Sequence, residues 1–434
     1  MNFYSTNNKN LSASFSEAVI KGIANDGGLF MPSFIPMLSE SFFNTIDKLT
    51  FQEIAFLIAQ KFIEDEIPQN DLRKIIEESI SFNAPLVRLS GNISILELFH
   101  GPTLAFKDFG ARFMAKTLSF LIRNENNHVT ILVATSGDTG SAVANGFYRV
   151  EGINVILLYP GNKVSEIQEM QLTTLGENIT ALKVDGTFDD CQRLVKEAFV
   201  DREVISNKKL SSANSINIAR LIPQSFYYFK AFAEVKNENR DLIFSVPSGN
   251  LGNLTAGLIA KEMGLPVYKF IAASNANDVF PKFLETSYFE PKPSIKTFSN
   301  AMDVGNPSNF ARIIALYNGD YSKIKNNIYG ASFSDTETVS AIKEMYSKYH
   351  YTIDPHGAVG YLAIKNYMSL ADNKNISGIV LETAHPSKFP DVVYQAINTE
   401  IEMPARLLVA LKKEKKSIPI SKDYSEFKQF LLQN

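Results

Sequence analysis

The segment His128–Pro160, HVTILVATSGDTGSAVANGFYRVEGINVILLYP, contains two strand patterns with a helical pattern between them. The runs His128–Ser136 and Gly152–Pro160 are rich in β-branched and other apolar residues, whereas Ser141–Val150 has the composition of a helix. Buried strands that alternate with helices predict a parallel sheet with helices on both of its faces. The residues that follow such strands meet at one edge of the sheet, where folds of this class bind ligands.

The alternation continues towards the C-terminus, but the first part of the chain differs. Further strands are predicted at Ile179–Gly186, Asp241–Ser248, Leu265–Ser274 and Ile376–Thr383. Before about Leu89, helical patterns such as Phe51–Ile63 predominate. We therefore predict an α/β fold with two parallel-type αβα sheet domains and a mainly helical N-terminal cap. The predicted limits are 1–88 for the cap, 89–225 for a smaller αβ domain and 226–434 for a larger one, with 89–107 packed against the larger domain as the alternative.

Composition excludes several classes of function. The 434 residues carry 43 Lys and Arg against 46 Asp and Glu, so the net charge of -3 indicates no nucleic-acid partner. No apolar run approaches the ~20 residues that span a bilayer, and no basic amphipathic segment suggests a membrane surface. The only cysteine, Cys191, excludes an intramolecular disulfide and fits a reducing compartment. With no secretory signal in the first residues, we expect a cytoplasmic protein, either a monomer or a homodimer.

The segment Pro247–Asn253, PSGNLGN, follows the strand pattern Asp241–Val246 and precedes a helical pattern. Its glycines let backbone N–H groups turn inward, and the N-terminus of the next helix adds positive potential. No Lys-Ser or Lys-Thr pair follows the glycines and no three-glycine fingerprint is present, so neither kind of nucleotide loop is indicated. The segment favours binding of a phosphate ester, and the alternative is a plain turn.

The segment Thr135–Ser141, TSGDTGS, occupies the same place after its own strand pattern. Its four hydroxyls and two glycines at a helix start are suited to a small anion such as a carboxylate. Asp138 argues against a second phosphate because it would add repulsive charge. The alternative is that Ser136 or Asp138 only caps the helix.

The segment His100–Phe113, HGPTLAFKDFGARF, places Lys107 between apolar residues near a predicted helix start. Both burial and the helix dipole would lower the pKa of its amine, and a neutral amine can attack an aldehyde. The alternative is an ammonium group that reaches solvent or pairs with Asp108 or Glu97. A reactive lysine, a phosphate loop and a carboxylate loop on parallel αβ units together fit pyridoxal phosphate with an amino-acid substrate. The five histidines show no metal-ligand spacing, so no metal is expected.

Six motifs, in order along the chain, resemble those of the threonine synthase family. They are HGPTLAFKDFGARF, TSGDTGSAVA, SANSIN with Arg220, VPSGNLGNLTAG, SNAMDVGNPSN and TAHPSKF. The resemblance covers nearly the whole chain, including DGGLFMP near its start, and matches the shorter microbial form. It implies pyridoxal-phosphate fold type II, the fold of tryptophan synthase β. It also implies conversion of O-phospho-L-homoserine and water to L-threonine and phosphate, a step of threonine biosynthesis.

The resemblance also implies roles for individual residues. Lys107 would form a Schiff base with the cofactor and act as general base at Cα and then at Cβ. Thr383 would face the pyridine nitrogen. The cofactor phosphate would be held by Gly249, Asn250, Leu251, Gly252 and Asn253, although family members often have Phe at the place of Leu251. The substrate carboxylate would be bound by Ser136, Gly137, Asp138 and Thr139. Candidates for the leaving phosphate are Lys163, Asn214, Ser215, Asn217 and Arg220.

Purely structural roles are the alternative for several of these residues. Lys163 and Arg220 could be solvated surface charges, and the amides and hydroxyls could cap turns. His356 and His385 are expected to order turns beside prolines. A serine or threonine dehydratase, or a related amino-acid lyase of the same fold, is the alternative enzyme. A silent homologue that binds a phosphorylated metabolite is the alternative from another class, although such a protein would not need Lys107.

Overall fold

The computed structural model describes residues 1–89, 91–124, 128–161, 164–373 and 375–434, which form two mainly parallel sheets and a small N-terminal sheet. The larger sheet has the strand order Ile328–Ser332, Lys269–Ser274, Asp241–Pro247, Ile376–Glu382, Ile93–Glu97, Leu86–Arg88. Only the edge strand Leu86–Arg88 is antiparallel to its neighbour. The predicted α/β class with two parallel-type sheets is confirmed.

The smaller sheet is parallel throughout and contains both strands of the segment His128–Pro160. Its strand order is Ile418–Ser421, Ile179–Asp185, Ile153–Pro160, Val129–Ala134, Lys209–Ser212. The helix between the first two of these strands in sequence is Asp138–Phe147. It begins three residues before the predicted Ser141 because the TSGDTGS segment supplies its first turn. Cys191 is buried in the core beside this sheet.

The N-terminal region is mainly helical, as predicted, and also contains an antiparallel sheet. The strands Ser12–Ala13, Phe3–Ser5 and Phe30–Pro32 pair in that order. Helices Phe15–Lys21 and Phe51–Ile63 both begin with capping boxes, in which Ser14 and Thr50 accept from an amide three residues later. The other helices of this region are Glu40–Thr45 and Gln69–Ser79, with short 3-10 turns at Ile46–Lys48 and Glu64–Glu66.

The remaining helices connect and cover the two larger sheets. Those before residue 240 are Lys107–Ile122, Asp138–Phe147, Glu166–Thr173, Phe188–Val200, Arg202–Asn207, Ile218–Leu221 and Pro223–Val235. Those after it are Gly252–Glu262, Val279–Thr286, Phe310–Leu316, Tyr321–Asn327, Asp335–Tyr349, Pro355–Leu370, Pro390–Ile397, Ala405–Leu411 and Tyr424–Gln433. Short 3-10 turns lie at Lys236–Glu238, Asn300–Met302 and Pro386–Lys388. Among the described residues, no helix combines the length and apolar character that a membrane span requires.

Strand pairing crosses the predicted domain limits in two places. Ile93–Glu97, from the predicted smaller domain 89–225, pairs with Ile376–Glu382 in the larger sheet. Ile418–Ser421, from the predicted larger domain 226–434, pairs with Ile179–Asp185 in the smaller sheet. The pattern of a four-residue strand does not specify a partner more than two hundred residues away, so this pairing could not be predicted from the sequence. The limits at residues 89 and 226 stay a prediction about folding units, because the strands of the two sheets pair across them.

Arg312 ties the N-terminal region to the rest of the protein. Its side chain is fully buried, and burial lowers its pKa to about 9. The guanidinium donates to the carbonyl of Phe30 in the N-terminal sheet at 3.0 and 3.1 Å. It also donates to the carbonyls of Ser215 and Ile216, which follow the last strand of the smaller sheet, at 3.1 and 2.6 Å. One side chain therefore fixes the N-terminal sheet against the segment that carries Ser215.

We predict that Arg312→Met strongly destabilises the protein. The carbonyls of Phe30, Ser215 and Ile216 would lose buried donors, at a cost of about 3 kcal/mol or more. The measurement is the urea denaturation midpoint followed by circular dichroism. The control is Arg149→Met, which removes an exposed ion pair with Glu177 and should leave the midpoint nearly unchanged. Equal midpoints for the two variants would contradict the assigned role of Arg312.

Candidate active site

A single cavity lies where strands of both sheets end. The segment after Val129–Ala134 contributes Thr135, Ser136, Asp138 and Thr139, and the segment after Asp241–Pro247 contributes Gly249–Leu254. Thr383 follows Ile376–Glu382, and Lys107 opens the helix Lys107–Ile122. The amide of Phe106 donates to the carbonyl of Thr383 at 2.9 Å, which places the lysine next to that strand end. The fold thus brings together four motifs that are separate in sequence.

The amine of Lys107 is largely buried in this cavity. Its side chain is 15% exposed, and its Nζ lies 5.1 Å from the centre of the Phe106 ring. The nearest carboxylate oxygen is Oδ2 of Asp138, 3.9 Å away. Burial lowers the pKa of Lys107, and although Asp138 opposes this effect, the charges of Lys388 and Arg220 add to it. The environment therefore makes this amine easier to deprotonate than a lysine in water, and the neutral amine is the form that can act as a nucleophile or a base.

Asp108, next to the lysine in sequence, does not pair with it. The Asp108 carboxylate is buried and accepts from the amide of Thr103 at 2.8 Å and from its hydroxyl at 2.7 Å. Burial raises the pKa of this carboxyl, and the two bonds from Thr103 oppose the shift. The side chain also lies so close to Gly101 that a Cβ there would meet Oδ2 at 2.4 Å. Asp108 therefore shapes the turn before Lys107.

The PSGNLGN segment presents hydrogen-bond donors at a helix start. Leu251 has a left-handed backbone (φ 59°) and precedes the helix Gly252–Glu262. The first intrahelical bond is from the amide of Thr255 to the carbonyl of Leu251 at 2.9 Å, so the amides before it have no acceptor within the helix. The Nδ2 of Asn253 is buried without a hydrogen-bond partner among the described residues. Its Oδ1 accepts from the hydroxyls of Tyr227 and Tyr228 at 2.6 and 2.7 Å, which fixes the amide orientation.

The side chain of Asn250 is used within the protein. Its Nδ2 donates to Ser215 Oγ at 2.7 Å, and its Oδ1 accepts from the amide of Ser308 at 2.6 Å. A second amide, Asn309, donates to the Asn250 carbonyl at 3.0 Å. These bonds hold the loop in place, so the loop offers a ligand mainly its backbone donors and Asn253.

The TSGDTGS segment is shaped by its first hydroxyl. Thr135 Oγ accepts from the amides of Gly137 and Gly140 at 3.0 and 2.8 Å. Gly137 has φ 135° and does not line the cavity, whereas Ser136, Asp138 and Thr139 do. The amides of Asp138 and Thr139 lie in the first turn of Asp138–Phe147 and have no intrahelical acceptor. They are donors available to an anion.

The Asp138 carboxylate already accepts hydrogen bonds from a lysine and a glutamine. Its Oδ1 accepts from Lys388 Nζ at 2.6 Å and from Gln168 Nε2 at 3.0 Å. Burial alone would raise the pKa of Asp138, but Lys388 and Lys107 outweigh it and hold that pKa below its usual range. Because an ionised carboxylate has no hydrogen to donate, Asp138 could contact a substrate carboxylate only through its backbone.

The candidate residues for binding the leaving phosphate of the substrate lie in different places. Asn214, Ser215 and Arg220 line the cavity. Arg220 is buried, donates to the carbonyl of Ala213 and has no partner for Nε among the described residues. Burial lowers its pKa to about 10, with Asp108 opposing the shift, so the guanidinium stays charged at neutral pH.

One further candidate does not line the cavity, and another lies outside the described residues. Asn217 does not line it: its Oδ1 caps the helix Ile218–Leu221, and its Nδ2 donates to the carbonyls of Val19 and Ser212 at 2.9 and 3.1 Å. Its polar atoms are therefore already used to join the N-terminal region to the smaller sheet. Lys163 lies outside the described residues.

The sequence reasoning missed three side chains near the cavity. Lys388 belongs to the TAHPSKF motif but was assigned no role, and it is fully buried. His356 was expected to order a turn; it lines the cavity, with its Nδ1 2.5 Å from Asp354 Oδ1 and its Nε2 accepting from the amide of Ala301. Asp303 also lines the cavity, and burial raises its pKa to about 6. Asp303 and Lys388 lie in two of the motifs, whereas the contacts of Lys388 with Asp138 and of His356 with Ala301 join residues that are far apart in sequence.

Comparison with known proteins establishes the family of the chain. A sequence model of the threonine synthase N terminus matches residues 2–80, and one of the threonine synthase C-terminal region matches residues 357–431. A model of pyridoxal-phosphate dependent enzymes matches residues 81–381. The threonine synthase of Buchnera aphidicola is 44% identical over 435 residues, with 100% of each chain covered. The chain belongs to the threonine synthase family.

Solved threonine synthases have the same fold. The crystal structure from Escherichia coli superposes with a TM-score of 0.94 at 41% identity and covers 100% of both chains. A pyridoxal-phosphate-bound threonine synthase from Brucella melitensis superposes with a TM-score of 0.93 at 33% identity, covering 100% of this chain and 99% of its own. The resemblance found in the motifs is confirmed, and the chain is a pyridoxal-phosphate-dependent lyase.

The described residues fit this cofactor. Lys107 could supply an amine for its aldehyde, and Thr383, which also lines the cavity, could supply a hydroxyl. The orphaned Nδ2 of Asn253 and the first-turn amides of Gly252–Glu262 could hold a phosphate group. Among the described residues, no cluster of His, Cys, Asp and Glu could hold a metal ion.

Proposed function

We propose that this cavity binds O-phospho-L-homoserine and water and releases L-threonine and inorganic phosphate. The observation that carries the proposal is the buried amine of Lys107, which shares one cavity with two separate sets of anion donors. One set follows Asp241–Pro247 and the other follows Val129–Ala134. An amino-acid substrate needs one site for its carboxylate, and the cofactor needs another for its phosphate.

We assign the cofactor contacts to residues of the larger sheet and to Lys107. The amides of Gly249, Asn250, Leu251, Gly252 and Asn253, with the Asn253 side chain, hold the cofactor phosphate. Thr383 donates to or accepts from the pyridine nitrogen. The cofactor, when bound, supplies a conjugated ring that accepts the negative charge developed on the substrate carbons. A hydroxyl partner, unlike a carboxylate, does not keep the ring nitrogen protonated.

The chain's own groups then handle the substrate. The amides of Asp138 and Thr139 and the hydroxyls of Ser136 and Thr139 orient the substrate carboxylate. The neutral amine of Lys107 removes the proton from Cα and, once it has released that proton, takes one from Cβ, so that phosphate leaves from Cγ. A proton then returns to Cγ, the hydroxide of water adds at Cβ, and a proton returns to Cα, while the second hydrogen of water leaves with the phosphate. Arg220 provides a cation for the leaving phosphate, together with donors from Asn214 and Ser215.

The alternative functions make different demands on the cavity. A dehydratase acting on serine or threonine has no substrate phosphate, so it has no use for a charged, buried Arg220 in the cavity wall. A silent homologue that only binds a metabolite has no use for a buried lysine whose pKa is lowered.

The substrate assignment predicts that phosphate release from O-phosphohomoserine matches the threonine formed, one for one. The measurement combines a colorimetric phosphate assay with amino-acid analysis. Serine and threonine are tested as alternative substrates in parallel reactions. Faster conversion of serine or threonine to an oxo acid would favour the dehydratase.

Lys107→Ala is expected to abolish turnover while pyridoxal phosphate can still bind through the phosphate loop. In the unmodified chain, borohydride should fix the cofactor to Lys107, as read by peptide mass spectrometry. The matched control is Lys116→Ala on the same helix, where the lysine forms an exposed ion pair with Glu78 at 2.6 Å. It should retain activity, and appreciable turnover by the Lys107 variant would refute the role of the amine.

Asn253→Asp is expected to weaken cofactor binding by about tenfold or more, because it replaces the orphaned Nδ2 donor with a negative charge beside the phosphate. The hydroxyls of Tyr227 and Tyr228 can still donate to the retained oxygen. Affinity is measured by titrating the cofactor-free protein with pyridoxal phosphate. The control, Asn366→Asp, also keeps an oxygen that accepts a tyrosine hydroxyl, from Tyr329, but lies at the surface. Equal affinities in both variants would remove Asn253 from the phosphate site.

We also propose that the protein is cytoplasmic and that it is a monomer or a homodimer. Sedimentation analysis of the full chain distinguishes these two assemblies from larger ones.

A further inference from the structure

Lys388 is a second lysine close to the cavity, and it is not accessible to solvent. Its side chain is 0% exposed, in the short 3-10 turn Pro386–Lys388 that follows the larger sheet. Its Nζ donates to Asp138 Oδ1 at 2.6 Å and to the carbonyl of Thr103 at 3.0 Å. A buried ammonium is retained only where a charge and hydrogen bonds compensate for lost hydration. Asp138 supplies that charge.

Asp138 lies between the two lysines. Its Oδ1 is 2.6 Å from Lys388 Nζ, and its Oδ2 is 3.9 Å from Lys107 Nζ. The shorter contact is a charge-assisted hydrogen bond, whereas the longer one is an ion-pair distance without a hydrogen bond. The Asp138 carboxylate therefore stabilises a positive charge on Lys388 more strongly than one on Lys107. Without Lys388, the same carboxylate would face Lys107 alone and would stabilise its ammonium form.

The other charged groups around Lys107 do not replace this arrangement. Arg220 lies on a neighbouring helix and disfavours the Lys107 ammonium, while Asp354 favours it weakly from the larger domain. Asp108 bonds to Thr103. The remaining titratable groups in the described cavity wall are Asp303 and His356. Asp303 bonds to Thr297 and Asn275. His356 bonds to Asp354 and Ala301.

We propose that Lys388 is a positioning residue that neutralises Asp138 and thereby keeps Lys107 uncharged for catalysis. Lys388 acts through Asp138 and through its own positive charge, and it does not contact the substrate. The lowered pKa of Lys107, to which Lys388 contributes, is consistent with this geometry. The inference rests on the proposed function, in which Lys107 must be neutral to act as a base.

The test measures the charge state of Lys107 in the cofactor-free full chain. Acetic anhydride labels only neutral amines, so the labelling rate of Lys107 against pH, read by peptide mass spectrometry, gives a midpoint and a plateau. The plateau reports access to the amine, and the midpoint reports its charge. Lys388→Met should raise the midpoint and slow labelling at pH 7 by about tenfold. Lys388→Arg should restore a midpoint near that of the unmodified chain.

Two further variants serve as controls. Lys415→Met removes an ion pair with Glu169 at 2.8 Å on the neighbouring helix Glu166–Thr173, and it should leave the midpoint of Lys107 unchanged. Asp138→Asn should lower the midpoint, because the positive charge of Lys388 then faces Lys107 without compensation. Opposite shifts for Asp138→Asn and Lys388→Met would not arise from a loss of packing alone.

An unchanged midpoint in Lys388→Met overturns the proposal. If that variant does not fold, because it leaves Asp138 without its main partner, Asp138→Asn is compared with the double variant Asp138→Asn/Lys388→Met. Removing the charge of Lys388 must then raise the midpoint, and equal midpoints reject the inference. If Lys107 in the unmodified chain titrates like the exposed Lys116, the proposed function fails instead.

Discussion

The ion pair between Asp138 and Lys388 joins the two sheets at the edge where strands of both end. Asp138 opens a helix of the smaller sheet, and Lys388 follows a strand of the larger one. A charge pair buried at such a boundary has no water to replace either partner, so it constrains both segments at once. The position of Thr135–Thr139 relative to Lys107 depends on this contact, and so does the electrostatic setting of the reactive amine.

Several basic side chains are buried in the protein, including Lys107, Arg220, Arg312 and Lys388. Arg312 satisfies its donors with carbonyl oxygens, Lys388 uses one carbonyl and one carboxylate, and Lys107 has the weakest compensation. Because the local dielectric is low, these differences in compensation act on the buried groups more strongly than they would in water. The same positive potential attracts a phosphorylated amino acid and a phosphorylated cofactor into a chain whose net charge is -3.

Much of the fold could be predicted because its signals are local. Alternating strand and helix patterns identified the parallel sheets, and the strand-end positions of Thr135–Ser141 and Pro247–Asn253 identified two walls of the cavity. Pairings across long sequence distances were not predictable: Lys388 with Asp138, Asn217 with Val19, and Ile418–Ser421 with Ile179–Asp185. A lysine or an asparagine has the same local pattern at the surface and in a buried network, so only the folded topology distinguishes them.

The strand Ile418–Ser421 lies at one edge of the smaller sheet, although the chain forms most of the larger sheet before reaching it. During synthesis, strand Ile179–Asp185 therefore emerges from the ribosome long before its partner. Its hydrogen-bonding edge stays open while more than two hundred further residues are added. The nascent chain thus carries an exposed parallel edge throughout this interval, which is when a chaperone would protect it best.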